Sequence, residues 1–114
     1  MKLKMVKFLI ALIISIPLFA QKYNPVPDPG AVVNSGNARF TVLTPRVIRM
    51  EWSEKGKFED RASLTIVNRN LSVPRFTKNE KEGWLEISTG DVTVKYKLNS
   101  GEFTSNTLKA ECKR

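Results

Sequence analysis

Between Ala38 and Trp52 apolar and polar positions alternate on either side of a bend at Thr44-Pro45. Phe40 and Val42 share a face before the bend, and Ile48, Met50 and Trp52 alternate with Arg49 and Glu51 after it. That period of two predicts half-buried strands over Arg39–Leu43 and Val47–Trp52. Three later runs carry the same signature. Ala62–Val67 sets Ala62, Leu64 and Ile66 against Ser63, Thr65 and Val67, and its β-branched content favours a strand. Trp84–Thr89 and Val92–Leu98 flank Gly90-Asp91, a connection suited to an antiparallel hairpin. The second arm is the cleanest, with Val92, Val94, Tyr96 and Leu98 opposite Thr93, Lys95 and Lys97. No window outside the first twenty residues keeps a helical spacing. Apolar faces of this kind need a second sheet to cover them, so the pattern predicts an all-β fold, a partial antiparallel β-sandwich.

The segments between these runs are punctuated by turn residues. Residues 21–36, with Pro25, Pro27, Pro29, Gly30 and Gly36, read as an extended N-terminal arm, because each proline also restricts the residue before it. Ala31–Val33 offers a short edge strand and Asn34-Ser35-Gly36 the turn after it. Ser53–Lys57 is a polar turn, Val73-Pro74 an extended edge segment anchored by Phe76, and Thr77–Gly83 a charged hairpin-like excursion. Beyond Gly101 the pattern weakens; Phe103, Thr107 and Leu108 are the candidates for another strand, and Lys109–Arg114 holds no further apolar element. The sandwich expected over residues 37–114 is therefore incomplete.

Ahead of the arm, Lys2, Lys4 and Lys7 precede the apolar run Phe8–Ile16, Pro17 breaks it, and Ala20 offers a small residue before Gln21. This is the layout of a secretory signal peptide over residues 1–20, cleaved near Ala20, and it predicts a periplasmic or secreted product with no stable membrane anchor. Removing the three leader lysines from nineteen basic residues leaves sixteen against eleven acidic ones, so the formal charge of +8 falls to +5. The excess is interspersed with carboxylates and argues against a nucleic-acid partner. Cys112 is the single cysteine and the chain has no histidine, which excludes an internal disulfide, histidine acid–base catalysis and the usual structural zinc ligands.

Glycoside hydrolysis takes two carboxylates about 5 to 9.5 Å apart. Nothing in the spacing pairs Glu51, Glu54, Glu59, Asp60, Glu80, Glu82, Glu86 or Asp91, so no catalytic residue, metal ligand or cofactor site is assigned. The charged triplet Glu59-Asp60-Arg61 after Phe58 reads as a solvated connection with a local ion pair from Arg61. Rings at alternating strand positions usually pack in a core, and Trp52 and Trp84 are the candidates for a sugar-stacking platform.

The runs Asn37–Trp52 and Gly56–Leu64, followed in order by Val67-Asn68-Arg69, Val73-Pro74-Arg75-Phe76, Gly83–Ile87 and Gly101–Thr104, resemble the N-terminal domain of glycoside hydrolase family 31, of the kind carried by secreted bacterial alpha-glucosidases and alpha-xylosidases. The resemblance implies a galactose-mutarotase-like sandwich that packs against a catalytic barrel and helps shape the active-site entrance. It implies that Phe58, Glu59, Asp60 and Arg61 lie toward that barrel, as an interdomain contact or at the rim of the site. The family's catalytic aspartates belong to the barrel, before which this chain stops, so the expected role is non-catalytic. The partners to expect are that barrel, joined or separately encoded, and an oligosaccharide. A free-standing carbohydrate-binding module is the alternative.

Overall fold

A computed structural model describes residues 23–113; the expected signal peptide lies outside the described residues. Asp28 caps the first regular element. Its side chain accepts a hydrogen bond from the Gly30 amide at 2.8 Å, which starts a short 3-10 turn at Pro29–Ala31 with proline at a position that needs no donor. From there the chain forms β1 (Val32–Ser35), β2 (Ala38–Thr44) and β3 (Val47–Trp52), an antiparallel sheet in the order β1-β2-β3. The arm expected over residues 21–36 thus ends in a paired strand. Gly36, at φ 55°, takes the tight turn between Ser35 and Ala38 at the first loop position.

The second sheet has the order β4 (Thr77–Lys81), β5 (Trp84–Ser88), β6 (Val92–Lys97) and β7 (Leu108–Cys112), all antiparallel. Phe40 and Val42 of β2, with Val33 and Ala38, face Leu85, Ile87, Val94 and Tyr96 of β5 and β6 in one buried cluster. On β2, β5 and β6 the face expected from the alternation is buried; on β3, Ile48 and Trp52 pack against the core but Met50, expected with them, is exposed, because no described strand of the second sheet reaches over it. Phe40 meets Tyr96 and Phe103 with ring centroids 5.6 and 5.8 Å apart, and Tyr96 meets Phe103 edge-on at 5.4 Å. The Tyr96 hydroxyl escapes an unpaired burial by donating to the Gly101 carbonyl at 2.9 Å. At one end Thr89 Oγ1 donates to the Pro45 carbonyl at 2.6 Å, linking the β2–β3 turn to the β5–β6 turn. Leu43 is the extra residue of a bulge where β2 approaches that turn.

The result is an all-β chain of two antiparallel sheets in a partial, unclosed sandwich. Its outer strands differ from expectation. Ala62–Val67 forms no strand. Ser63 bonds instead to Ile66, its amide and hydroxyl donating to the Ile66 carbonyl and its Oγ accepting from the Ile66 amide at 3.0 Å. A serine that offers the backbone a local partner competes with a sheet ladder, and Leu64 is left fully exposed. Thr77–Lys81, expected as part of a hairpin-like excursion, is an edge strand and the first arm of a hairpin with β5. Glu82 and Gly83, both at positive φ (54° and 81°), form the two-residue turn that folds it onto β5. Leu108, a candidate for another strand, does begin one, and it runs on through the patternless residues to Cys112 beside β6. Both edges bury little, which is why no apolar rhythm announces them.

Candidate functional site

On β2, Arg39 and Thr41 alternate with the core residues Phe40 and Val42, so they point to the far side of the first sheet; both are nevertheless buried. What covers that face is the segment after β3. Arg39 Nε and Nη2 bind Glu51 on the neighbouring strand at 2.7 and 3.0 Å, and Nη1 binds Asp60 at 2.8 Å. The Phe58 ring lies 4.8 Å from the same guanidinium, a cation–π contact. The Glu59 carbonyl accepts from three arginines at once, Arg39 at 3.3 Å, Arg49 at 3.1 Å and Arg69 at 3.4 Å. Arg49 adds a charge pair with Glu51 at 2.8 Å.

Three guanidiniums thus clamp residues 58–60 onto the sheet. Burial lowers the tendency of Arg39 to hold its proton, but the hydrogen bonds and charges of Glu51 and Asp60 outweigh it and raise its pKa. Arg49 is lowered, first by burial and then against Glu51's pull by the charges of Arg69 and Arg39. Arg69 is the most deeply buried of the three. It also holds the N-terminal arm: Nη1 donates to the Pro25 carbonyl at 3.3 Å, and the Arg69 and Asn70 amides donate to the Asn24 carbonyl at 2.8 and 3.1 Å. Its Nε and Nη2 are buried with no acceptor among the described residues.

The four residues of the charged triplet and its aromatic therefore have distinct roles. Phe58 and Asp60 face Arg39, whereas Glu59 turns its side chain outward to Arg61, which donates to it at 2.9 and 2.7 Å. The local ion pair expected for Arg61 is present. Its side-chain hydrogen bond, then its backbone one from the Arg61 amide, hold the Glu59 carboxyl down at about 2 from an ordinary 4.5. A carboxyl depressed on folding contributes stability that is present above its unfolded pKa and lost as pH falls through the folded one. Glu59 is thus expected to titrate near pH 2 in the wild type and to return toward 4.5 in Arg61→Ala, read by side-chain carboxyl NMR shifts. Unchanged titration in that variant would remove the pairing.

The two tryptophans lie apart. Trp52 is half-buried, pairs across to Ala38 and packs against the core. Trp84 points out of the second sheet, in the wall of a cleft of about 620 Å³ that also holds Asn79, Glu86, Lys95 and Lys109. Lys109 Nζ lies 5.4 Å from the Trp84 ring centre, and Lys95 reaches Glu86 at 3.8 Å. Among the described residues no cluster of three or more His, Cys, Asp or Glu side chains is placed to hold a metal ion. Sequence reasoning missed Arg39, Arg49 and Arg69. The one available signal was Arg39 and Glu51 falling on the same face of adjacent strands.

Fold and site define an all-β chain whose unclosed sandwich carries one braced surface loop and, on its opposite side, one aromatic cleft. Comparison with protein-family models and with curated proteins finds no match.

Proposed function

We propose that the chain is a non-catalytic β-sandwich segment of a secreted family 31 glycoside hydrolase, one that supports a catalytic barrel and shapes the entrance to its active site. The ordered run of residues resembling that family's N-terminal domain supports this. The structural observation that carries it is the loop after β3. Residues 58–60 are lashed to the sheet by three arginines, yet the stretch that follows leaves Leu64, Val67, Leu71 and Val73 exposed. Four exposed apolar side chains on one loop support a surface that meets a partner. The barrel is the partner the resemblance supplies.

Purified chain is expected to release no nitrophenol from alpha-glucoside or alpha-xyloside substrates. Mixed with a separately expressed family 31 barrel, it should show slowed amide exchange over residues 61–73, and Leu64→Ser with Val67→Ser should weaken the association several-fold without changing the fold. Hydrolysis by the chain alone would overturn the proposal, as would exchange in that stretch that ignores the barrel.

A further inference from the structure

β7 lies at an open edge of the second sheet, and all of its residues after Leu108 are exposed. The amide of Lys97 donates to the Thr107 carbonyl and that of Lys113 to the Asp91 carbonyl, so along β7 it is the odd-numbered residues that turn their backbone groups toward β6. Those of Leu108, Ala110 and Cys112 therefore face outward. Among these groups the Leu108 amide is taken, by the Thr104 carbonyl at 2.9 Å; the rest are a template for another strand. The side chains continue the pleat. Leu108, Ala110 and Cys112 extend the inner face opposite Tyr96, Val94 and Val92, and Lys109 and Glu111 stand on the outer face. Lys109 is directly across from Lys95, a like charge, and among the described residues neither Lys109 nor Glu111 finds an ion-pair partner in its own chain. The other sheet edges are less suited to pairing. β1 carries no charged residue. β3 has Arg49 and Glu51 engaged with each other, with Arg39 and with the Glu59 carbonyl. β4 turns Lys78 and Glu80 inward, opposite Ile87 and Leu85, which blocks continuation of an apolar face.

We infer that β7 is a self-association edge, which pairs antiparallel with β7 of a second copy of this chain about a two-fold axis at Ala110. With Ala110 facing Ala110, Lys109 of each copy faces Glu111 of the other, and Leu108 faces Cys112. The Ala110 amides and carbonyls bond one another across the axis, and each Cys112 amide reaches the other copy's Leu108 carbonyl. Each lysine thereby gains the carboxylate it lacks at home. An axis between two residues would put the outward backbone groups out of line. An axis at Lys109 or at Glu111 keeps them in line but sets lysine against lysine or glutamate against glutamate, at a separation where like charges repel. The charges thus select one register, and the contact is isologous and closed. It joins two four-stranded sheets into one continuous sheet. A single pair of short strands buries little area, so the association falls in the micromolar to millimolar range. It involves none of residues 58–73 and does not rest on the docking of a barrel.

Sedimentation velocity of the full chain, from micromolar to millimolar concentration, should show a reversible monomer–dimer equilibrium. Lys109→Glu and Glu111→Lys should each weaken it several-fold. An equimolar mixture of the two variants should associate again, as should a chain carrying both changes, because opposite charges then face each other once more. Crosslinking reads the register. In oxidised glutathione, Ala110→Cys with Cys112→Ser should give a disulfide-linked dimer, since facing residues of a hydrogen-bonded pair lie about 5.5 Å apart. Cys112 of the unaltered chain should not, because the two copies of it are offset along the strands by roughly 14 Å. A monomer at every concentration overturns the inference. So does a dimer that both single charge variants leave intact, a mixture of those variants that stays monomeric, or a disulfide that forms through Cys112 in preference to Ala110→Cys. Should a charge variant lose its fold by circular dichroism, the two crosslinking results decide it.

Discussion

Replacing Val94 by Asp is expected to leave no stably folded protein. Val94 sits in the middle of β6, 2% exposed, opposite Ile87 and Ala110 and inside the cluster shared with Phe40 and Val42. Among the described residues no cation and no unpaired donor faces that position, since every strand neighbour on the inner side of β5 and β6 is apolar or, at Tyr96, already bonded to the Gly101 carbonyl. An uncompensated charge in such a place costs about 3 to 5 kcal/mol, and a domain this small holds only ~5 kcal/mol or a little more in total. Urea or thermal unfolding followed by far-ultraviolet circular dichroism reads the effect. Lys97→Asp, three residues on and exposed, is the control and should shift stability by no more than ~0.5 kcal/mol. A Val94→Asp protein melting within a few degrees of wild type would mean that the two sheets do not meet at this position.

The second large effect falls on Arg39. Arg39→Met keeps the length and most of the volume of the side chain but removes every hydrogen bond to Glu51, Asp60 and the Glu59 carbonyl. Glu51, 13% exposed along its side chain, keeps only the misaligned pair with Arg49. Asp60 is half-exposed and returns to water at little cost. The expected loss is about 3 kcal/mol, arising chiefly from the buried carboxylate left behind. Two readouts separate this from a general loss of packing. Adding Glu51→Leu should recover part of the loss, because removing both partners of a buried pair is far cheaper than removing one. Amide exchange at residues 58–61 should rise ahead of global unfolding, since the clamp holds that loop. If the single variant is as stable as wild type, the clamp contributes nothing and the base of the proposed docking loop is not rigid.

Much of the interior was legible before the structure. Phe40 and Val42 with Ile48, and Leu85 and Ile87 with Val94 and Tyr96, stand at alternate positions of strands that do form. Burying every second side chain leaves its trace in the sequence. The misses have a common cause. Ala62–Val67 alternates as well as any of them, but alternation describes one strand and says nothing about a neighbour to pair with; Ser63 closed the segment into a local turn. Thr77–Lys81 and Leu108–Cys112 carry little or no apolar rhythm because they are edges. They are strands because the Glu82-Gly83 turn and the long connection after Lys97 lay them beside partners. The Glu82-Gly83 pair was the readable signal for the first of these.

The candidate site divides in the same way. Sequence singled out Phe58, Glu59, Asp60 and Arg61 as a unit, and Trp52 and Trp84 as the rings to test. It did not separate Trp52, against the core, from Trp84, in the open cleft. Nor did it find Arg69, whose burial comes from Pro25, 44 residues away, and from Glu59.

By itself the chain determined which faces of its central strands turn inward, because the pleat fixes side-chain direction residue by residue. Which strands became neighbours, which loop was clamped and which indole faced away from the core depended on contacts between distant segments, where the free energy of pairing is set by the partner as much as by the residue.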